Sequence, residues 1–132
     1  MKPFTSISDT EERIGKAIVN AAFNVHKELG PGLLEKVYEI GMAHELSKAG
    51  FFVKRQVDIP IVYDNIKFDE GLRLDLLIED LVVLETKAVE LVNPVWKAQV
   101  ISQLKLTKLN LGFLINFNVV YIRDGISRIR RN

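Results

Sequence analysis

Leu72-Arg73-Leu74-Asp75-Leu76-Leu77-Ile78-Glu79-Asp80-Leu81-Val82-Val83-Leu84-Glu85-Thr86-Lys87-Ala88 holds two apolar runs separated by an acidic pair. Runs of this length and branching form strands, and so short a separation makes them an antiparallel hairpin. Paired positions in such a hairpin have a constant sum of residue numbers, and their side chains point to one face. A three-residue loop at Glu79-Asp80-Leu81 pairs Ile78 with Val82, Leu76 with Leu84 and Leu74 with Thr86, an almost wholly apolar face. The opposite face then carries Leu77 with Val83, Asp75 with Glu85 and Arg73 with Lys87. A two-residue loop would pair Asp75 with Leu84 and mix charges into the core on both faces. The pattern therefore favours the first register.

Two carboxylates facing one another on a sheet repel, at a cost of roughly 0.2–1 kcal/mol when solvated and more when buried. A divalent cation compensates directly. Mg²⁺ uses few protein carboxylates, keeps several waters and shares phosphate oxygens with a substrate. Lys87, two residues beyond Glu85, shares its strand face, where an ammonium can hold or deprotonate an attacking water or stabilise charge on a phosphate. The competing explanation is an ion-pair ladder in which Arg73 and Lys87 only neutralise Asp75 and Glu85.

Outward from the hairpin, Ser8-Asp9-Thr10-Glu11 has capping-box spacing, and Ile14, Ala17, Ile18, Ala21, Ala22, Val25 and Leu29 follow at helical period. Gly30-Pro31-Gly32 breaks this helix. A second helix is expected from about Leu33 to Ala49, with Glu35 in the stripe of Tyr38, Met42, Leu46 and Ala49. The helix dipole alone also accounts for a carboxylate in the first turn. His26 flanks the first helix's stripe, as a packed or capping histidine would. From Phe51 the period is two, with Val53, Val57, Ile59 and Ile61 alternating with polar residues, and Pro60 demands an edge position or a bulge. Asp64-Asn65 and Asp69-Glu70-Gly71 are turn signals. Asn93-Pro94 opens a third helix to about Leu109, on which Gln99 shares a stripe with Val95, Ala98, Leu106 and Leu109. A satisfied core amide would explain Gln99 equally. Leu111 to Phe117 is a short strand reached by a right-handed crossover, and residues 126–130 form an edge strand. The expectation is an α/β fold of order ααβββαβ with a short C-terminal β tail, a mixed central sheet flanked by helices, in one domain over 1–132.

The bulk properties of the 132 residues narrow the functional classes. There is no cysteine, which excludes disulfides, thiolate zinc and a cysteine nucleophile. No apolar stretch suits a signal peptide or a membrane span, so a cytoplasmic location is expected. Eighteen Lys and Arg against 17 Asp and Glu give +1, too little for global phosphate attraction. Nucleic acid must then be held by local groups, with Lys97, Lys105, Lys108, Arg128, Arg130 and Arg131 as candidates.

Gly32-Leu33-Leu34-Glu35-Lys36-Val37-Tyr38, preceded by His26 and Gly30-Pro31, resembles the naming motif of the GxxExxY proteins, a family of the PD-(D/E)XK nuclease superfamily. Arg73-Leu74-Asp75, Glu85-Thr86-Lys87-Ala88-Val89-Glu90 and Leu114-Ile115-Asn116-Phe117-Asn118 resemble its later motifs, from about Glu11 to Ile129. The resemblance implies a restriction-endonuclease-like core, with Asp75 and Glu85 as metal ligands and Lys87 as the catalytic lysine. It also implies the Thr86 carbonyl as a further metal contact and Glu35 as the helix-borne carboxylate completing the site. Gln99 resembles the first residue of a Gln-x-x-x-Tyr motif in related nucleases. Gln103 stands at the tyrosine position, which leaves Gln99 a hydrogen-bonding role without the stacking one. Tyr38, Arg73 and His26 are supporting candidates. The implied activity is Mg²⁺-dependent phosphodiester hydrolysis, with Mn²⁺ as substitute and DNA preferred over RNA as the partner. A nuclease-like module that binds nucleic acid or protein without cutting is the alternative, and self-association is left open.

Overall fold

The computed structural model describes residues 6–131, so most of the N-terminal stretch read for a signal peptide, Met1 to Thr5, lies outside the described residues. Helix α1 (Asp9–Leu29) starts at the expected capping box: the Glu11 amide donates to Ser8 Oγ (3.1 Å) and the Ser8 amide to Glu11 Oε1 (2.8 Å). It ends at Gly30, whose φ of 68° suits a residue without Cβ. Helix α2 (Glu35–Lys48) follows, then strands β1 (Val53–Tyr63), β2 (Ile66–Ile78) and β3 (Val82–Lys87), helix α3 (Val95–Thr107), and strands β4 (Leu111–Asn116) and β5 (Ile126–Arg130). The five strands form one sheet in sequence order, antiparallel except for the parallel β3·β4 pair that α3 connects. Among the described residues, no helix is long and apolar enough to cross a membrane.

Helices α1 and α2 cover one sheet face, where Ile14, Ile18, Tyr38 and Met42 pack on Leu76, Ile78, Leu84 and Phe113. Helix α3 covers the other, where Val100 and Leu104 pack on Leu77, Val83 and Leu114. Gly112 permits this approach, since a Cβ there would lie 3.0 Å from Val100 Cγ1. Gly125 is still more constrained, because its Cβ would lie 2.0 Å from the Asn116 carbonyl oxygen.

Three features depart from the sequence-based expectation. The Asp69-Glu70-Gly71 turn signal does not end a strand. β2 runs through it, and the register shifts between Ile59↔Leu72 and Ile61↔Phe68, so residues 69–71 bulge opposite Pro60. Gly71, at φ 125°, supplies the irregular backbone, and Pro60 sits where its missing N–H leaves no ladder bond open, on an edge strand. Second, the buried face of α3 is Val100, Gln103 and Leu104, not the stripe containing Gln99. Third, Leu72 and Leu74 pack under α3 whereas Leu76 and Ile78, of the same parity, pack under α1 and α2. The change of face falls at Asp75, opposite Gln56, whose φ of 52° takes β1 out of regular strand geometry.

Candidate active site

The β2–β3 hairpin has the expected register where it is regular: Ile78↔Val82, Leu77↔Val83 and Leu76↔Leu84. The Leu81 amide donates to the Ile78 carbonyl (2.9 Å), closing the loop over left-handed Glu79 and Asp80. Beyond Leu76 and Leu84 the ladder stops, and side chains replace it. The Asp75 amide donates to Glu85 Oε1 and the Thr86 amide to Asp75 Oδ2, each at 3.1 Å. The anticipated pairs Asp75 with Glu85, Leu74 with Thr86 and Arg73 with Lys87 do not form in this ladder, and Asp75 and Glu85 meet through side-chain hydrogen bonding instead. Arg73 instead turns to β1, where its Nε lies 3.0 Å from Asp58 Oδ1 in an exposed ion pair.

Glu85 is buried. Burial and the neighbouring Asp75 carboxylate together push its carboxyl up to about 8. Two donors oppose this by stabilising the charged form: the Asp75 amide and Gln103 Nε2, each donating to Glu85 Oε1 at 3.1 Å. Gln103 was assigned no role from sequence because the α3 stripe was phased on its apolar residues. The available signal was its spacing three residues from Val100, which puts both on one side of the helix, although only docking shows that side to be the buried one. Gln99 is exposed and lines a groove with Arg73 and Gln103.

Lys87 lies on the same strand as Glu85, and its Nζ sits 5.2 Å from the centroid of the Trp96 ring. Behind it, β3 and β4 run parallel with Lys87 opposite Asn116. Asn116 holds the segment after Lys87: its Nδ2 donates to the Val89 carbonyl (3.0 Å), and its Oδ1 accepts from the Val89 and Asn118 amides (3.1 Å each). This clamp was not foreseen as part of the site.

Glu35, the first residue of α2, lines with Asp75, Arg73 and Gln56 an open cleft of about 700 Å³. Its carboxyl is held above the usual range, chiefly by burial, with Asp75 and Glu39 adding repulsion and Lys87 opposing them. Glu35 therefore shares the electrostatic field of the hairpin site. Among the described residues, no group of three or more His, Cys, Asp or Glu side chains is gathered closely enough to hold a metal ion directly. One turn further on, buried Glu39 binds Arg55 Nη2 (2.9 Å) and Gln56 Nε2 (2.6 Å), fastening α2 to β1 beside Asp75.

Tyr38 does not reach the cleft. It is fully buried, stacks on Phe117 with centroids 4.6 Å apart, donates its hydroxyl to the Gly30 carbonyl (2.6 Å) and accepts from the Leu33 amide (3.1 Å). It thereby fixes the turn that delivers Glu35. His26 likewise does not line this cleft, and its Nε2 lies 2.8 Å from the Val119 carbonyl. Of the proposed phosphate-binding residues, Arg128 pairs with Glu12, and Arg131 donates to the Leu109 carbonyl and Asn110.

The donor set suits a divalent cation. Two carboxylates crowd each other so that the Glu85 carboxyl is pushed up to about 8, and Gln103, which donates to Glu85, keeps its Oε1 buried with no hydrogen-bond partner. Such a place lacks positive charge. A mixed sheet with α1 and α2 on one face and α3 on the other, and an acidic pair and a lysine on adjacent strands, defines the restriction-endonuclease-like class of α/β domain. The model of the PD-(D/E)XK nuclease superfamily matches residues 12–129, and the chain belongs to that superfamily. No curated protein matches it.

Proposed function

We propose that this protein is a Mg²⁺-dependent nuclease that hydrolyses phosphodiester bonds, in DNA rather than RNA. The observation that carries the reading is the crowding of Asp75 against buried Glu85, with Lys87 two residues further along the same strand. Asp75, Glu85 and the Thr86 carbonyl would hold the ion, and Mn²⁺ would substitute. When bound, the ion supplies Lewis-acid stabilisation of charge on the phosphate. Lys87, steered by the Trp96 face, holds the attacking water or stabilises the phosphate oxygens. Glu35 stands at the mouth of the cleft, able to bind the hydrated ion through water. The Gly32, Glu35 and Tyr38 spacing supports assignment to the GxxExxY family, with Tyr38 positioning Glu35.

A second reading, a nuclease-like module that binds without cutting, is favoured by one observation: no third acidic group among the described residues completes a cluster with Asp75 and Glu85. Substitution of Lys87 separates the two. Lys87→Ala should lower Mg²⁺-dependent cleavage of single- and double-stranded DNA by about 100-fold or more, while the Mg²⁺-induced rise in melting temperature persists. Wild-type protein that neither binds Mg²⁺ nor cuts nucleic acid, with Lys87→Ala less stable than wild type, would establish the ion-pair ladder instead.

A further inference from the structure

Helix α3 is apolar on two sides. Its inner side, Val100 and Leu104, is spent on the sheet, whereas Val95, Ala98 and Leu106 face outward, with Val95 and Leu106 each 47% exposed. These outer residues form one wall of a groove of about 450 Å³ whose other wall is the β1–β2 ribbon at Ile61 and Leu72. Past its bulge the ribbon continues with Ile61↔Phe68 and Tyr63↔Ile66 paired, which puts all four side chains on the face that Ile61 turns toward the groove. Tyr63 is 71%, Ile66 56% and Phe68 43% exposed. Groove and ribbon tip form one surface, apolar apart from Arg73, Gln99, Ser102 and Gln103 in the groove, that nothing in the described chain covers.

We infer that this surface is a self-association interface, in which the ribbon tip of one copy packs into the α3 groove of a second copy and the exchange is reciprocated about a two-fold axis. Charge selects the occupant. Among the described residues that line the groove, Arg73 alone is charged, and it is already paired with Asp58. Lys67 and Val62 alternate onto the ribbon's other face. A phosphate backbone needs cations, which this face does not offer, whereas a surface that meets its own copy about a two-fold must not place like charges together. Size agrees. With aromatic side chains burying roughly 150–250 Å² each, the exposed parts of the ribbon and groove residues bring two copies to about 1,000 Å², the size of a weak, transient interface. A type I′ turn at Asp64 and Asn65, with φ of 50° and 64°, gives the ribbon a defined end to insert.

The test is sedimentation velocity of the full chain, in EDTA and without nucleic acid, so that its outcome is independent of whether the protein cuts anything. Wild type should reach twice the 15.0 kDa chain mass as concentration rises to about 100 μM, a range suited to an interface of this size. Phe68→Glu on the ribbon and Leu106→Lys in the groove should each weaken association at least tenfold while keeping wild-type circular dichroism. Mixing the two variants should restore it, because the Glu-bearing ribbon meets the Lys-bearing groove and the remaining pair is native. A wild type monomeric throughout would overturn the inference. So would assembly only on adding duplex DNA, association unchanged in both variants, or variants that fail to rescue each other.

Discussion

Glu85 receives one hydrogen bond from the backbone of Asp75 and another from Gln103, yet its carboxyl stays raised because both oxygens are shielded from water and face another acid. The consequence for stability has a definite sign. Between the ordinary value of 4.5 and about 8, folded protein keeps a proton on Glu85 that unfolded protein releases. The contribution of Glu85 to the stability of the metal-free protein is thus fullest below 4.5 and is lost as pH rises through this window. Urea denaturation in EDTA from pH 5 to 8.5 should show this decline, and Glu85→Gln, which cannot titrate, should flatten it. Gln103 has a separable effect. Gln103→Leu removes the amide that favours the charged form of Glu85 and also an unpartnered buried oxygen, so the fold should tolerate it well. Mg²⁺ affinity by calorimetry should nevertheless fall about 10-fold, as for other groups that orient a metal ligand.

The Gly30-Pro31-Gly32 break and α2 are joined by Tyr38 more than by any capping side chain, since Leu34 at the N-cap makes no side-chain bond. Tyr38→Phe keeps the Phe117 stacking and removes the bridge between the Gly30 carbonyl and the Leu33 amide. Leaving these groups short of a partner should cost about 1–3 kcal/mol, seen as a lower denaturation midpoint with an unchanged slope. The helix periods, the capping box and the hairpin register were legible from residues alone because each depends on neighbours close in the chain. The Asp69-Glu70-Gly71 signal misled for a related reason. A local preference for irregular backbone serves a bulge as well as a turn, and only pairing with Pro60 on β1 selects between them.

Across the whole molecule, the proposed metal site would link metal, proton and folding. With Glu85 as the ligand proposed above, a proton would compete with Mg²⁺ for it at pH 6 and far less at pH 8.5. The thermal shift produced by a fixed Mg²⁺ concentration should therefore be several degrees larger at pH 8.5 than at pH 6, and Glu85→Gln should abolish the difference. The primary structure by itself determined the element order, the alternation that makes Asp75 and Glu85 neighbours, and the placement of Lys87 on the strand of Glu85. Those follow from fixed periods of 3.6 and 2 and from a short loop whose register burial enforces. It did not determine which face of α3 is buried, because two apolar stripes compete there and only docking of Val100 against Gly112 chooses one. Nor did it determine the break in the ladder at Asp75. Strand parity predicts faces for a regular sheet, whereas left-handed Gln56, Glu39 arriving from α2, and the exchange of backbone for carboxylate hydrogen bonds depend on three segments meeting in space.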